Sequence, residues 1–200
     1  MKLLVIDNYD SFTYNLVQYF RELLGHPVDV LRNDQVGLER AAAYDVLVFS
    51  PGPGLPAEAG MMPTLLKAFA PSKVILGVCL GHQAIGEAFG AGLLNLSQVY
   101  HGVATPIYPV VSGDALFQGL PGVFEAGRYH SWVVDRRGLP SELEITAVDA
   151  NDEIMAMRHR VFDVFGLQFH PESVMTPVGK QILDNFLSYA RSKTQNTVCS

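Results

Sequence analysis

Five apolar residues, Val74-Ile75-Leu76-Gly77-Val78, run straight into Cys79-Leu80-Gly81. An uninterrupted apolar strand of this length suits a sheet covered on both faces, and such sheets are built from parallel strands joined through helices. The segments before it repeat that theme. Lys2 to Ile6, Val28 to Leu31 and Asp45 to Phe49 read as short strands, each ending in polar or turn-forming residues. Between the first two, Phe12, Leu16, Tyr19, Phe20, Leu23 and Leu24 recur at helical spacing, with Ser11 placed to cap the start and Gly25 the end. A weaker helix is expected over Leu38 to Ala43, and others over Pro63 to Phe69 and His82 to Phe89.

Beyond residue 93 the texture changes. Thr105 to Val111, Val123 to Ala126, Glu144 to Ala147, Glu153 to Met157 and Val164 to Phe169 are rich in β-branched and aromatic residues and read as further strands, several of them antiparallel. Gly179 to Arg191 is a last amphipathic helix. The expectation is one α/β domain over residues 1–191: a mostly parallel central sheet, helices on both faces, and additional antiparallel strands. Residues 192–200 are expected to form a frayed tail.

Composition narrows the function classes. With 48% hydrophobic and 17% charged residues the chain is too apolar for disorder. Its net charge of −6, with no Lys/Arg cluster, argues against nucleic acid as a partner. No apolar run reaches the length of a membrane span, and Met1 to Asp7 is too short an apolar region for a secretory signal, so the cytoplasm is the expected location. Of the two cysteines, Cys199 falls in the polar tail, which argues against a disulfide framework and leaves Cys79 to be explained.

Gly77-Val78-Cys79-Leu80-Gly81 has the form G-x-C-x-G at a strand-to-helix turn, the thiol counterpart of a nucleophile elbow. Glycines two before and two after the nucleophile allow a turn tight enough to thrust the side chain out of the sheet. The helix that follows offers free N–H groups and a positive dipole end to a thiolate, and the N–H of Leu80 is an oxyanion donor. A cysteine beside an apolar strand is by itself an ordinary buried side chain. A base elsewhere changes that reading. His170 follows the strand-like Val164 to Phe169, and Pro171 biases it toward an extended conformation, in which Glu172 would project to the same side and orient the imidazole.

Other residues fit the same site. Ser50-Pro51-Gly52-Pro53-Gly54 follows the third strand, and its bare backbone suits a second oxyanion donor. Gln83, one helical turn after Cys79, could face the same cavity or solvent equally well. Tyr129-His130-Ser131-Trp132 hints at a binding surface, whereas His82, His101 and His130 have no paired acid and read as structural or surface residues. No metal-ligand spacing, P-loop or dinucleotide fingerprint occurs.

Three strings, Pro51-Gly52-Pro53-Gly54, Gly77-Val78-Cys79-Leu80-Gly81-His82-Gln83 and Gln168-Phe169-His170-Pro171-Glu172-Ser173, together resemble the class I (triad-type) glutamine amidotransferases. Asp7-Asn8-Tyr9-Asp10-Ser11-Phe12-Thr13, Arg128-Tyr129-His130-Ser131, Glu153-Ile154-Met155 and Arg158-His159 look like the subgroup serving chorismate-using synthases, for either anthranilate or 4-amino-4-deoxychorismate.

The resemblance implies a glutaminase subunit with Cys79 as nucleophile, His170 as proton carrier and Glu172 as its orienting acid. It implies backbone oxyanion donors at Gly54 and Leu80, and L-glutamine held by Gly52, Pro53, Gly54, Gln83, Ser131 and Trp132. It further implies a larger chorismate-binding partner that carries Mg²⁺, with no cofactor in this chain. Anthranilate synthesis in the tryptophan pathway is the leading reading and aminodeoxychorismate synthesis for folate the alternative. A free-standing γ-glutamyl cysteine hydrolase is a more distant one, and a non-enzymatic interaction domain would require loss of a triad member. Two positions depart from the family pattern: Val103 stands where Lys is usual and Trp132 where Leu is usual.

Overall fold

The computed structural model describes residues 1–196. Strands β1 (Leu3–Asp7), β2 (Asp29–Arg32), β3 (Val46–Phe49), β4 (Val74–Val78) and β11 (Val164–Leu167) lie side by side in the order β2-β1-β3-β4-β11, all parallel. β10 (Ile154–His159), β9 (Leu143–Val148), β6 (Val103–Pro109) and β7 (Phe124–Arg128) extend the same sheet in antiparallel pairing to nine strands. β5 (Leu93–Asn95) and β8 (Trp132–Val134) form a separate antiparallel pair.

Alternation along the parallel strands divides the core in two. Leu3, Val5, Val46, Val48, Val74, Leu76 and Val78 face one side, where helices α1 (Thr13–Leu24) and α5 (Gly179–Asn196) cover them with Leu16, Phe20, Ile182 and Phe186. Leu4, Ile6, Leu47, Phe49 and Ile75 face the other, under α2 (Leu38–Ala42), α3 (Met62–Phe69) and α4 (Leu80–Ala88), which bring Ala41, Met62, Leu66 and Ile85. Because both faces bury apolar side chains, every strand residue from Val74 to Val78 is buried, as the apolar run required.

Two local expectations are corrected. Ser11 does not cap α1: the Asp10 carboxylate accepts the Phe12 N–H at 2.7 Å and Asp7 accepts the Thr13 hydroxyl at 3.0 Å, so the start of the helix is held by two acids that precede it. Gly25 does close the helix, left-handed at φ 72°, its N–H on the Arg21 carbonyl. α5 continues through Asn196 rather than fraying from residue 192, and Cys199 lies outside the described residues.

Parallel strands direct their carboxyl ends to one edge, and crevices for ligands open there. The segments following β1, β3, β4 and β11 all leave from that edge, which gathers residues 8–12, 50–55, 79–83 and 168–172.

Candidate active site

Cys79 links β4 to α4 at φ 52°, ψ −99°, a left-handed conformation that a residue with a Cβ adopts only when its surroundings enforce it. Its N–H is tied to the Leu167 carbonyl at 2.7 Å and its carbonyl accepts the Gln83 N–H at 3.0 Å. The neighbouring glycines make room. A Cβ on Gly77 would drive into the Gly81 backbone, and one on Gly81 would lie 2.6 Å from the Phe49 carbonyl oxygen. Only the bare backbone allows α4 to start this close to β3 and β4. Leu80 opens α4, so its N–H belongs to the first turn, whose donors have no intrahelical acceptor.

The loop after β3 is held against the same turn. A Cβ on Gly52 would meet Asn8 at 2.6 Å and Leu80 at 2.7 Å, while Gly54 is left-handed at φ 74°. Asn8 anchors the start of the loop, its amide donating to the Ser50 carbonyl at 2.8 Å, and the Glu58 carboxylate accepts the Leu55 N–H at 3.1 Å. A cavity of about 370 Å³ opens between this loop and the segment before β8, lined by Gly52, Pro53, Gly54, Leu55, Cys79, Gln83, Tyr129, His130, Ser131 and Trp132. Every residue that the sequence reading assigned to the substrate is in that lining. Gln83 is buried, so of its two sequence readings the cavity-facing one holds.

His170 and Glu172 form a buried pair on which the thiol acts. His170 Nδ1 is 2.7 Å from Glu172 Oε1, both side chains buried, and Nε2 has no hydrogen-bond partner in the protein. His170 itself is extended, as expected from Pro171, and bridges to Gly127, but the chain turns at Pro171 and Glu172, so the pair is brought together by a turn and not by a continuing extended segment. The His170 N–H donates to the Gly127 carbonyl at 2.9 Å, and the Ser173 N–H returns to the His170 carbonyl at 3.2 Å. Thr176 also donates its hydroxyl to that carbonyl, at 2.6 Å. β11 ends at Leu167, so the chain is free to turn before the acid.

Burial works to lower the affinity of His170 for its proton, but the Glu172 carboxylate and the Cys79 thiol outweigh it and hold the imidazole well above the usual histidine range. Phe12 and Tyr129 pack edge-on against the imidazole, with ring centroids 5.2 and 4.8 Å away, and lie 4.7 Å from each other.

Two groups at the thiol escaped the sequence reading. Gln168, fully buried, directs Nε2 toward Cys79 Sγ at 3.7 Å and accepts from Gln83 Nε2 at 3.3 Å. It sits two residues before His170, an alternation that could have flagged it. Phe12 joins the site from a segment far away in the chain and left no local signal, whereas its partner Tyr129 belongs to the string read as a binding surface. Of the remaining histidines, His82 and His130 are buried and His101 is exposed. Val103 is exposed at the start of β6. Among the described residues, no group of three or more His, Cys, Asp and Glu side chains is placed to hold a metal, and no helix is long and apolar enough to cross a membrane.

The arrangement can carry out acyl transfer: a thiol on a strained turn, a buried base with its orienting acid, and a cavity bounded by backbone donors. Comparison with known proteins agrees. The family described as "Glutamine amidotransferase class-I" matches residues 4–190. Anthranilate synthase component 2 of Pseudomonas aeruginosa is 50% identical over 192 residues, covering 92% of this chain and 94% of that protein. Aminodeoxychorismate synthase component 2 of Klebsiella aerogenes is 47% identical over 188 residues, covering 93% and 99%. Among solved structures, a protein from Thermoplasma acidophilum described as a "putative gmp synthase subunit a protein" superposes with a TM-score of 0.88 at 26% identity, covering 98% of this chain and 97% of that one.

Proposed function

The chain belongs to the class-I glutamine amidotransferase family, and on that premise we propose that it is the glutaminase component of a two-subunit, chorismate-using synthase. Cys79 attacks the side-chain carboxamide carbon of L-glutamine, and the resulting oxyanion is met by the N–H groups of Leu80 and Gly54. His170, holding the proton taken from the thiol, passes it to the amide nitrogen. The C–N bond breaks and ammonia leaves, with a γ-glutamyl thioester on Cys79. Water then adds to the thioester as His170 accepts its proton, and glutamate is released with the thiol restored. Glu172 keeps the imidazole oriented with its proton on Nδ1 and stabilises the imidazolium. Gly52, Pro53, Gln83, Ser131 and Trp132 hold the amino-acid portion of the substrate.

One observation supports this reading above the others: the Cys79 thiol, on a left-handed backbone, lines the cavity, and the buried His170–Glu172 pair is near enough for Cys79 to act on the imidazole. The ammonia is consumed outside this chain, by a larger partner that binds chorismate and supplies Mg²⁺, so this chain needs no cofactor of its own. Relatives of similar identity are named as components of anthranilate synthase and of aminodeoxychorismate synthase. The product is therefore assigned to the partner; anthranilate is the first reading and aminodeoxychorismate the second.

The test is glutamine hydrolysis by the purified chain, alone and with each candidate chorismate-binding partner in the presence of chorismate. Weak activity alone that rises with one partner is the expected result. Equal rates with and without every partner would overturn the two-subunit reading in favour of a free-standing hydrolase.

A further inference from the structure

The residues that hold glutamine in this reading are themselves held by a buried polar chain that no step of the hydrolysis uses. Arg128, 1% exposed, ends β7. Its Nη1 pairs with Asp149 Oδ2 at 2.6 Å, its guanidinium lies 3.6 Å over the Tyr100 ring, and its Nε donates to His130 Nε2 at 3.1 Å. Asp149 is fixed in turn by the Asn151 and Glu153 N–H groups of the β9–β10 turn, at 2.8 and 3.0 Å.

This chain determines a proton position. A guanidinium only donates, so His130 Nε2 must be the unprotonated, accepting nitrogen. Burial and the Arg128 charge push the imidazole down to about 3, which keeps it neutral, and its single proton is then on Nδ1. Nδ1 lies 3.0 Å from the Trp132 carbonyl and donates to it. The same carbonyl accepts Gln83 Nε2 at 2.9 Å, which brings the chain to the glutamine cavity. The neighbouring carbonyls are occupied as well, that of Ser131 by the Leu96 N–H at 2.7 Å and that of His130 by the Tyr100 N–H at 3.0 Å. A buried ion pair adds little net stability over apolar packing, so this one is better explained by the geometry it enforces.

We propose that Arg128 and His130 are positioning residues for substrate: the Asp149–Arg128–His130 chain sets the tautomer that clamps the Trp132 carbonyl and thereby fixes Gln83 and the 131–132 segment against bound glutamine. The proposal rests on the glutamine reading of the cavity. It assigns the β9–β10 turn, remote from the thiol in sequence, a role in substrate affinity rather than in the chemical step.

The experiment compares two alkylations of Cys79, followed by mass. One reagent is a glutamine analogue with a diazoketone in place of the carboxamide, which must occupy the clamp. The other is iodoacetamide, which needs only a reactive thiol. In His130→Leu the analogue concentration for half-maximal labelling should rise tenfold or more, with the iodoacetamide rate within twofold of the unaltered protein. His130→Asn places an amide nitrogen where Nδ1 donates and should recover most of the affinity. His130→Gln reaches only toward Arg128 and should not. Equal analogue affinity in the Asn and Gln variants, or a parallel loss of both alkylations, would overturn the proposal. Failure of the analogue to label the unaltered protein would overturn the glutamine reading itself, an outcome distinct from failure of the variants to differ.

Discussion

At Cys79 the proposed function and local stability conflict. A side chain at φ 52°, ψ −99° costs about 1–3 kcal/mol that glycine would not incur. Cys79→Gly should therefore be more stable than Cys79→Ala by about 1 kcal/mol in urea denaturation, the reverse of the order expected within a helix. Alanine equal to or above glycine would show that the turn is unstrained. Glu172→Gln keeps the shape of the orienting group but removes the charge that helps keep the His170 proton. Glutamine-hydrolysis kcat should fall by roughly 10²-fold or more with KM little changed. A carboxylate raises the imidazole's proton affinity, so its loss should also move the alkaline limb of the rate profile to lower pH. An unmoved limb would separate Glu172 from the proton transfer. Cys79, His170 and Glu172 were legible in the sequence because each sits in a string whose residue types have few other uses. Gln168 and Phe12 were not, because their contacts with Cys79 and His170 come from partners distant in the chain.

The strand–turn–helix unit around Cys79 depends on absent side chains. Gly81→Ala brings a Cβ to 2.6 Å from the Phe49 carbonyl and 2.9 Å from its Cβ, a clash with buried groups that a strand and a helix start cannot both relieve. A loss of about 2 kcal/mol or more is expected, whereas Gly138→Ala, with nothing within 4 Å of the new Cβ, should stay within about 0.5 kcal/mol. Comparable losses in the two variants would remove steric closeness as the reason for Gly81. The inner parallel strands were legible because burial on both faces leaves continuous apolar runs. β5 and β8, three residues each, were missed because pairs this short carry too few side chains to register a period. The turn that joins His170 to Glu172 was read as extended from Pro171 alone, since the contacts that close it come from Ser173 and Thr176 beyond the pair.

Across the whole molecule, buried histidines link stability to pH. Burial pushes His82 down to about 3, partly offset by the Gly166 backbone; burial and then the Arg128 charge do the same to His130. Both stay neutral in the folded chain, while the unfolded chain takes up protons near 6.5. Their stabilisation is present above that value and is lost as pH falls toward 3, by at most about 1.4 kcal/mol per pH unit for each. Denaturation midpoints should therefore fall from pH 6.5 to 5, and a flat response would contradict the assignment of these side chains as neutral and buried.

In the proposed reading, the one buried thiol among the described residues acts on glutamine and a partner uses the ammonia. The most direct measurement is synthesis by the assembled complex carrying Cys79→Ser, supplied either with glutamine or with ammonium. Glutamine-dependent synthesis should disappear while ammonium-dependent synthesis continues; glutamine-dependent synthesis that persists in Cys79→Ser would contradict Cys79 as the nucleophile.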